Sequence, residues 1–147
     1  MKEVEDNYDV VCCAAGTATT AAGVLKSMDQ GRLMVFPALK GVSSHLRKEV
    51  LRYQTEASKE TQLYFMEGYD FGGYAKLTQE LIEFVRSFYQ ENNLKLDLVY
   101  TAKLFFGLWD LIKKDYFPPS SKILVIHTAG LQGNKGFEDR FKFNLFS

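Results

Sequence analysis

Apolar residues along this chain follow two rhythms: short unbroken runs, and segments where they recur at three- and four-residue steps. Unbroken runs bounded by turn residues suit strands buried on both faces, and the longer period suits amphipathic helices. Tyr8 to Ala14 is the first run; it breaks at Gly16, and Thr19 or Thr20 can cap a helix running to about Asp29. Leu33 to Pro37 is a second run. Ser43 and Ser44 open a predicted helix to about Glu56, with Leu46, Val50 and Tyr53 on one side. Gln62 to Met66 predicts a third strand, followed by the glycine-punctuated loop Gly68 to Tyr74. The clearest helix is Ala75 to Asn92, with Leu77, Leu81, Val85, Phe88 and Tyr89 in helical step. Thr101 to Lys114 predicts another, burying Leu104, Phe105, Leu108, Leu111 and Ile112. After a turn at Phe117–Ser121, Ile123 to His127 is the last strand expected.

Strand–helix alternation of this kind predicts an α/β fold: a mainly parallel, open, twisted sheet of about four strands with helices on both faces. At 147 residues the chain is expected to form a single domain, residues 1–147. Eighteen basic and eighteen acidic residues cancel, so no general field draws in nucleic acid or an anionic membrane. Aromatic side chains make up 14 %, enough to require a large core or interface. The acidic start, Met1 to Asn7, lacks the apolar stretch of a secretory signal, and Val10 to Leu25 is too short and too interrupted to span a bilayer. A cytoplasmic location is the expectation. Cys12 and Cys13 are adjacent in a predicted strand, so their side chains should point to opposite faces and stay buried rather than pair. His45 and His127 have no acidic or thiol neighbours in sequence, so no metal site is expected.

The segment Ala15-Gly16-Thr17-Ala18-Thr19-Thr20-Ala21-Ala22-Gly23 sits between the first strand and its helix. Backbone N–H groups at a helix start lack intrahelical partners, and the dipole there favours an anion. Gly16 permits a tight turn, and the hydroxyls of Thr17, Thr19 and Thr20 add donors. Several charge-assisted hydrogen bonds of about 1.5–3 kcal/mol each would outweigh the dipole, which contributes about 0.3–1 kcal/mol. The segment lacks the lysine of a Walker motif, the second glycine of a dinucleotide fingerprint and the serine of a nucleophile elbow. By pattern alone it is either a phosphate cradle or an ordinary strand–helix turn.

Four segments, in order, resemble the C-terminal half of the pyridoxal-phosphate-dependent 1-aminocyclopropane-1-carboxylate deaminase and D-cysteine desulfhydrase family. They are the Gly/Thr loop, Gly68 to Lys76, Leu96-Asp97-Leu98-Val99-Tyr100-Thr101-Ala102-Lys103, and Ile126-His127-Thr128-Ala129-Gly130-Leu131. The resemblance implies that Gly16, Thr17, Ala18, Thr19 and Thr20 hold the phosphate of pyridoxal 5′-phosphate. It implies that Tyr74 and Tyr100 are active-site phenols facing a small amino-acid substrate. Thr101 takes the place where deaminases proper carry a glutamate facing the pyridine nitrogen, and Thr128 is the other residue implied to contact that nitrogen. An unperturbed phenol titrates near pH 10, so a base at neutral pH would need a cationic or hydrogen-bonded setting.

The family's chemistry also needs an imine-forming lysine, which lies in the other half of its members. Gly133-Asn134-Lys135-Gly136 imitates that lysine's context but follows the last predicted strand, so Lys135 is not expected to serve. Ala18, Ala102 and Ala129 stand where the family usually has glycine, and Leu98 replaces a proline. An added Cβ at Ala18 or Ala129 would crowd the cofactor and weaken or abolish its binding. Three readings follow. The chain is the cofactor-binding portion of a deaminase or desulfhydrase, inactive alone and completed by an N-terminal half or by homo-oligomerisation; or a non-catalytic module binding a phosphate ligand or a partner; or a scaffold without ligand. Convergence of the tyrosines and the Gly/Thr loop on one pocket would eliminate the third.

Overall fold

A computed structural model describes residues 7–74, 76–128 and 130–146. Its centre is a four-stranded, all-parallel sheet in the order β3-β2-β1-β4. The strands are β1 (Val10–Ala15), β2 (Arg32–Pro37), β3 (Leu63–Phe65) and β4 (Ile123–Val125). Along β1 the side chains alternate between two cores. Val10 and Cys12 join Met34 and Phe36 under the helices α3 (Gln79–Asn92) and α4 (Thr101–Lys113). Val11, Cys13 and Ala15 join Leu33, Val35 and Leu63 under α1 (Thr19–Ser27) and α2 (Ser43–Arg52). Cys12 and Cys13 thus face opposite ways, buried and unpaired. This doubly covered sheet is why β1 and β2 read as unbroken apolar runs.

Helix boundaries depart from the apolar periodicity where local polar chemistry intervenes. The helix expected from Ala75 begins at Gln79, because Thr78 in extended conformation caps it by accepting from the Leu81 amide; Ala75 itself lies outside the described residues. Its end is set by Asn93 in the left-handed region, φ 52°. Helix α2 ends at Arg52 rather than about Glu56, and a 3₁₀ turn, Ala57–Gln62, leads into β3. Ala18, not a threonine, occupies the N-cap of α1, with no side-chain cap.

Two contacts fix α4 and the chain's end. A methyl group on Gly107 would lie 2.6 Å from Phe36 Cε1 and 2.9 Å from Tyr69 Cγ, so only glycine lets α4 pack this closely on β2. A fifth helix, α5 (Gln132–Phe141), was not expected, since Gly133 and Gly136 each cost a helix about 1 kcal/mol. Buried Asn134 docks it: Oδ1 accepts from the Leu98 amide at 2.9 Å, and Nδ2 donates to the Leu96 carbonyl at 3.0 Å. Among the described residues no helix is long and apolar enough to cross a membrane, and no three His, Cys, Asp or Glu side chains group as metal ligands.

Candidate functional site

In a parallel sheet, ligands bind beyond the carboxyl ends of the strands. There lies a cavity of about 460 Å³, within the usual size range for small-molecule sites. Its floor is Ala14 to Thr17, where β1 ends, with Thr20 from the first turn of α1. Tyr74 enters from the loop after β3, Tyr100 from the start of α4, and Thr128 from beyond β4. Ala18 and Thr19 do not line it. Among the described residues no side chain accepts from the amides of residues 16–20, and the first turn of α1 closes by Ala22 N–H to the Ala18 carbonyl at 2.8 Å. Among the described residues, then, no side chain caps the helix mouth by a hydrogen bond.

Gly16 is needed for a different reason than the turn expected of it. Its φ lies outside the left-handed region, but a methyl there would come within 2.8 Å of Tyr100 Cε1 and 2.9 Å of Tyr100 Oη. The tyrosine ring lies over the glycine, so the phenol and the loop meet on the same patch of cavity wall. The second phenol stands beside it: the Tyr74 and Tyr100 rings are 6.3 Å apart at 61°, edge-on. Tyr74 is exposed and Tyr100 half-buried. Burial, then the Tyr74 phenol and the Asp97 charge, push the Tyr100 phenol above its ordinary value. At neutral pH it is a protonated group, poised to donate rather than to abstract.

Sequence reasoning missed Asp97, which sets the backbone of Tyr100. This carboxylate is 3 % exposed. Oδ1 accepts from the Val99 and Tyr100 amides at 3.0 and 2.7 Å. Oδ2 accepts from the Thr101 amide at 3.0 Å and the Thr101 hydroxyl at 2.6 Å. Thr101 Oγ1 in turn accepts from the Asp97 amide at 2.8 Å. The available signal was an aspartate just ahead of a helix start, the residue type that captures such orphan amides. The same bonds correct the expectation for Thr101. Its hydroxyl is spent on Asp97, the residue is fully buried, and it does not line the cavity. Ala102, where relatives' patterns carry glycine, is likewise buried in the core, and Ala129 lies outside the described residues. Lys135 is exposed on α5, and among the described residues no lysine lines the cavity.

The fold and the cavity define a parallel α/β domain with a candidate anion cradle facing two phenols. Comparison with known proteins narrows this. No family model matches the chain. A protein of Pyrococcus abyssi provisionally named a 1-aminocyclopropane-1-carboxylate deaminase is 32 % identical over 142 residues, covering 90 % of this chain and 42 % of its own. One of Pyrococcus furiosus with the same provisional name reaches 43 % identity over 72 residues, covering 49 % of this chain and 21 % of its own. The 1-aminocyclopropane-1-carboxylate deaminase of Cyberlindnera saturnus is 28 % identical over 142 residues, covering 90 % of this chain and 41 % of its own. A crystal structure of an ACC deaminase homologue superposes with a TM-score of 0.76 at 28 % identity, over 95 % of this chain and 45 % of that one. The chain belongs to the 1-aminocyclopropane-1-carboxylate deaminase family and corresponds to roughly its C-terminal half. It spans less than half the length of these relatives.

Proposed function

We propose that this chain is the cofactor-phosphate half of a pyridoxal-phosphate-dependent deaminase acting on a small amino acid, 1-aminocyclopropane-1-carboxylate or D-cysteine. The observation that supports it most is convergence: Gly16, Thr17 and Thr20 of the loop, Tyr74, Tyr100 and Thr128 come from four separate segments and meet on one cavity. A scaffold without ligand has no reason to gather them. The phosphate end of the cofactor fits the uncapped helix mouth, with the hydroxyls of Thr17 and Thr20 beside it; Thr19 contributes only its backbone. With the cofactor bound, Thr128 would be the hydroxyl available to its ring nitrogen, a weaker partner than a carboxylate. When bound, the cofactor supplies the electron sink that labilises bonds at the amino-acid α-carbon. Tyr100, kept protonated, donates a hydrogen bond or a proton to the substrate side, and Tyr74 closes the same wall.

An imine-forming lysine comes from outside the cavity described, from a complementary N-terminal half or a second copy. The isolated chain therefore binds phosphate-bearing pyridoxine derivatives without turning over amino acids. Calorimetric titration with pyridoxine 5′-phosphate, which has no aldehyde and needs no lysine, tests the cradle. Saturable binding that Gly16→Ala weakens at least about tenfold supports it, that ratio being about 1.4 kcal/mol of the phosphate contacts. No binding by the unaltered chain refutes it. Pyruvate or 2-oxobutanoate release by the chain alone, at the rate of a full-length deaminase, would refute the proposed division between halves.

A further inference from the structure

Lys103, in the first turn of α4, is 1 % exposed. Among the described residues it makes no ion pair. Its Nζ instead donates to two backbone carbonyls, Gly73 at 2.7 Å and Ala38 at 3.3 Å. Burial lowers its proton affinity, opposed by the charges of Asp70 and Asp97. Taking an ammonium out of water costs several kcal/mol, and an apolar side chain of similar volume would fill this core position more cheaply. What an apolar residue could not do is hold those carbonyls.

The Gly73 carbonyl also accepts from the Lys76 amide at 3.2 Å, a bond within the loop itself. Phe71, Gly72 and Gly73 all have positive φ, at 55°, 96° and 122°; glycine adopts such values freely, so the two glycines leave this turn loose and only Phe71 is held in an uncommon conformation. Asp70 Oδ1 ties down the Gly72 amide at 2.8 Å from within the loop. Lys103 is the tie from outside. Tyr74 is bonded directly to Gly73, and Tyr100 stands three residues before Lys103 at the head of the same helix. Ala38 lies just past β2, so the same ammonium also references the loop to the sheet.

We infer that Lys103 is the positioning residue of the two phenols: its ammonium fixes the Gly73 carbonyl, and with it the Tyr74 backbone, against the helix that Tyr100 begins. This deepens the function proposed above and rests on it for what the phenols do. The strut itself is a geometric fact about this chain and is tested without activity.

The test is nuclear magnetic resonance of the full chain carrying ¹³Cζ-labelled tyrosine, with Tyr74 and Tyr100 assigned through their phenylalanine variants. In Lys103→Met the cross-peak between the two rings is lost and the Tyr100 titration midpoint falls toward the ordinary phenol value near 10. The signals of Tyr8 and Tyr64, remote from the loop, stay put. A variant that loses stability yet keeps the inter-ring cross-peak and the Tyr100 midpoint overturns the inference, since that is what a merely structural lysine would give. Lys103→Gln, whose amide keeps two donors on a shorter stem, should restore part of the cross-peak; no difference from Lys103→Met counts against the strut. Should neither variant fold, a through-hydrogen-bond coupling from Lys103 Nζ to the Gly73 carbonyl in the unaltered chain is expected, and its absence overturns the inference. Pyridoxine 5′-phosphate binding separates the two ideas. An unaltered chain that fails to bind it refutes the proposed function while the ring data still judge Lys103.

Discussion

Replacing Gly16 with alanine probes fold and site together. The new methyl carbon would stand 2.8 Å from Tyr100 Cε1, 2.9 Å from Oη and 3.2 Å from Cζ. Carbon atoms in comfortable contact are about 3.5–4.0 Å apart, so something must move by more than half an ångström. If the ring holds its place, the strain falls on the fold, at about 1–3 kcal/mol for an overpacked site. If the ring yields, the cavity it lines gives it room to swing. The fold then loses little, but the phenol crowds the helix mouth and phosphate binding falls at least about tenfold. Tyr100 is half-buried and has the cavity beside it, so the second route is expected to dominate. Urea unfolding and pyridoxine 5′-phosphate titration on the same variant distinguish them. Adding Tyr100→Ala should remove the clash, giving a favourable coupling between the two sites in a double-mutant cycle. Gly23→Ala is the control, since a methyl there meets nothing within 4 Å on an exposed face of α1; it should stabilise by about 0.5–1 kcal/mol. A Gly16→Ala chain with unaltered stability and unaltered binding would refute the reasoning.

Gly107→Ala has no such exit, because Phe36 and Tyr69 block the methyl; a loss of about 3 kcal/mol in thermal or urea unfolding is expected. Asn134→Ala leaves the Leu98 amide and Leu96 carbonyl without their partner and should cost about 1–3 kcal/mol, with hydrogen exchange quickening first in α5. Tyr69 is pushed up to about 12, chiefly by burial and then by donating to Asp110. A raised folded-state value contributes stability that is present below the unfolded value near 10 and lost as pH climbs through about 12. The stability gap between the unaltered chain and Tyr69→Phe should therefore shrink across that window. Burial pushes both the Cys12 and Cys13 thiols up to about 12, so alkylation at neutral pH should occur only on unfolding; fast labelling of the native chain would contradict the core described.

How far the sequence disclosed this molecule depended on whether the signal was local. The strands at Val10–Ala15 and Arg32–Pro37 were legible because burial on both faces leaves an unbroken apolar run. The meeting of Tyr74 and Tyr100 with the Gly/Thr loop was left open, because family resemblance named these residues but nothing local links positions so far apart. The start of α3 was misplaced because apolar spacing continues through Leu77, whereas the chain turns at Thr78. Helix α5 was missed because its stability comes from Asn134 reaching the Leu96–Leu98 backbone, a contact 36 residues away in sequence that outweighs two glycines. Thr101 was read from its place in a motif, but its hydroxyl was taken by a carboxylate four residues earlier.

The cavity's two flanks differ in their freedom to change. One is indexed by α4, which carries Tyr100 at its head, Lys103 in the core and Gly107 against the sheet, so drift along that helix is felt at once by chemistry and fold. The other includes Gln132 and Gly133, both exposed and given no part in the proposed function. Divergence in what such a pocket accepts is cheapest on that second bank, and a library aimed at altered selectivity belongs there.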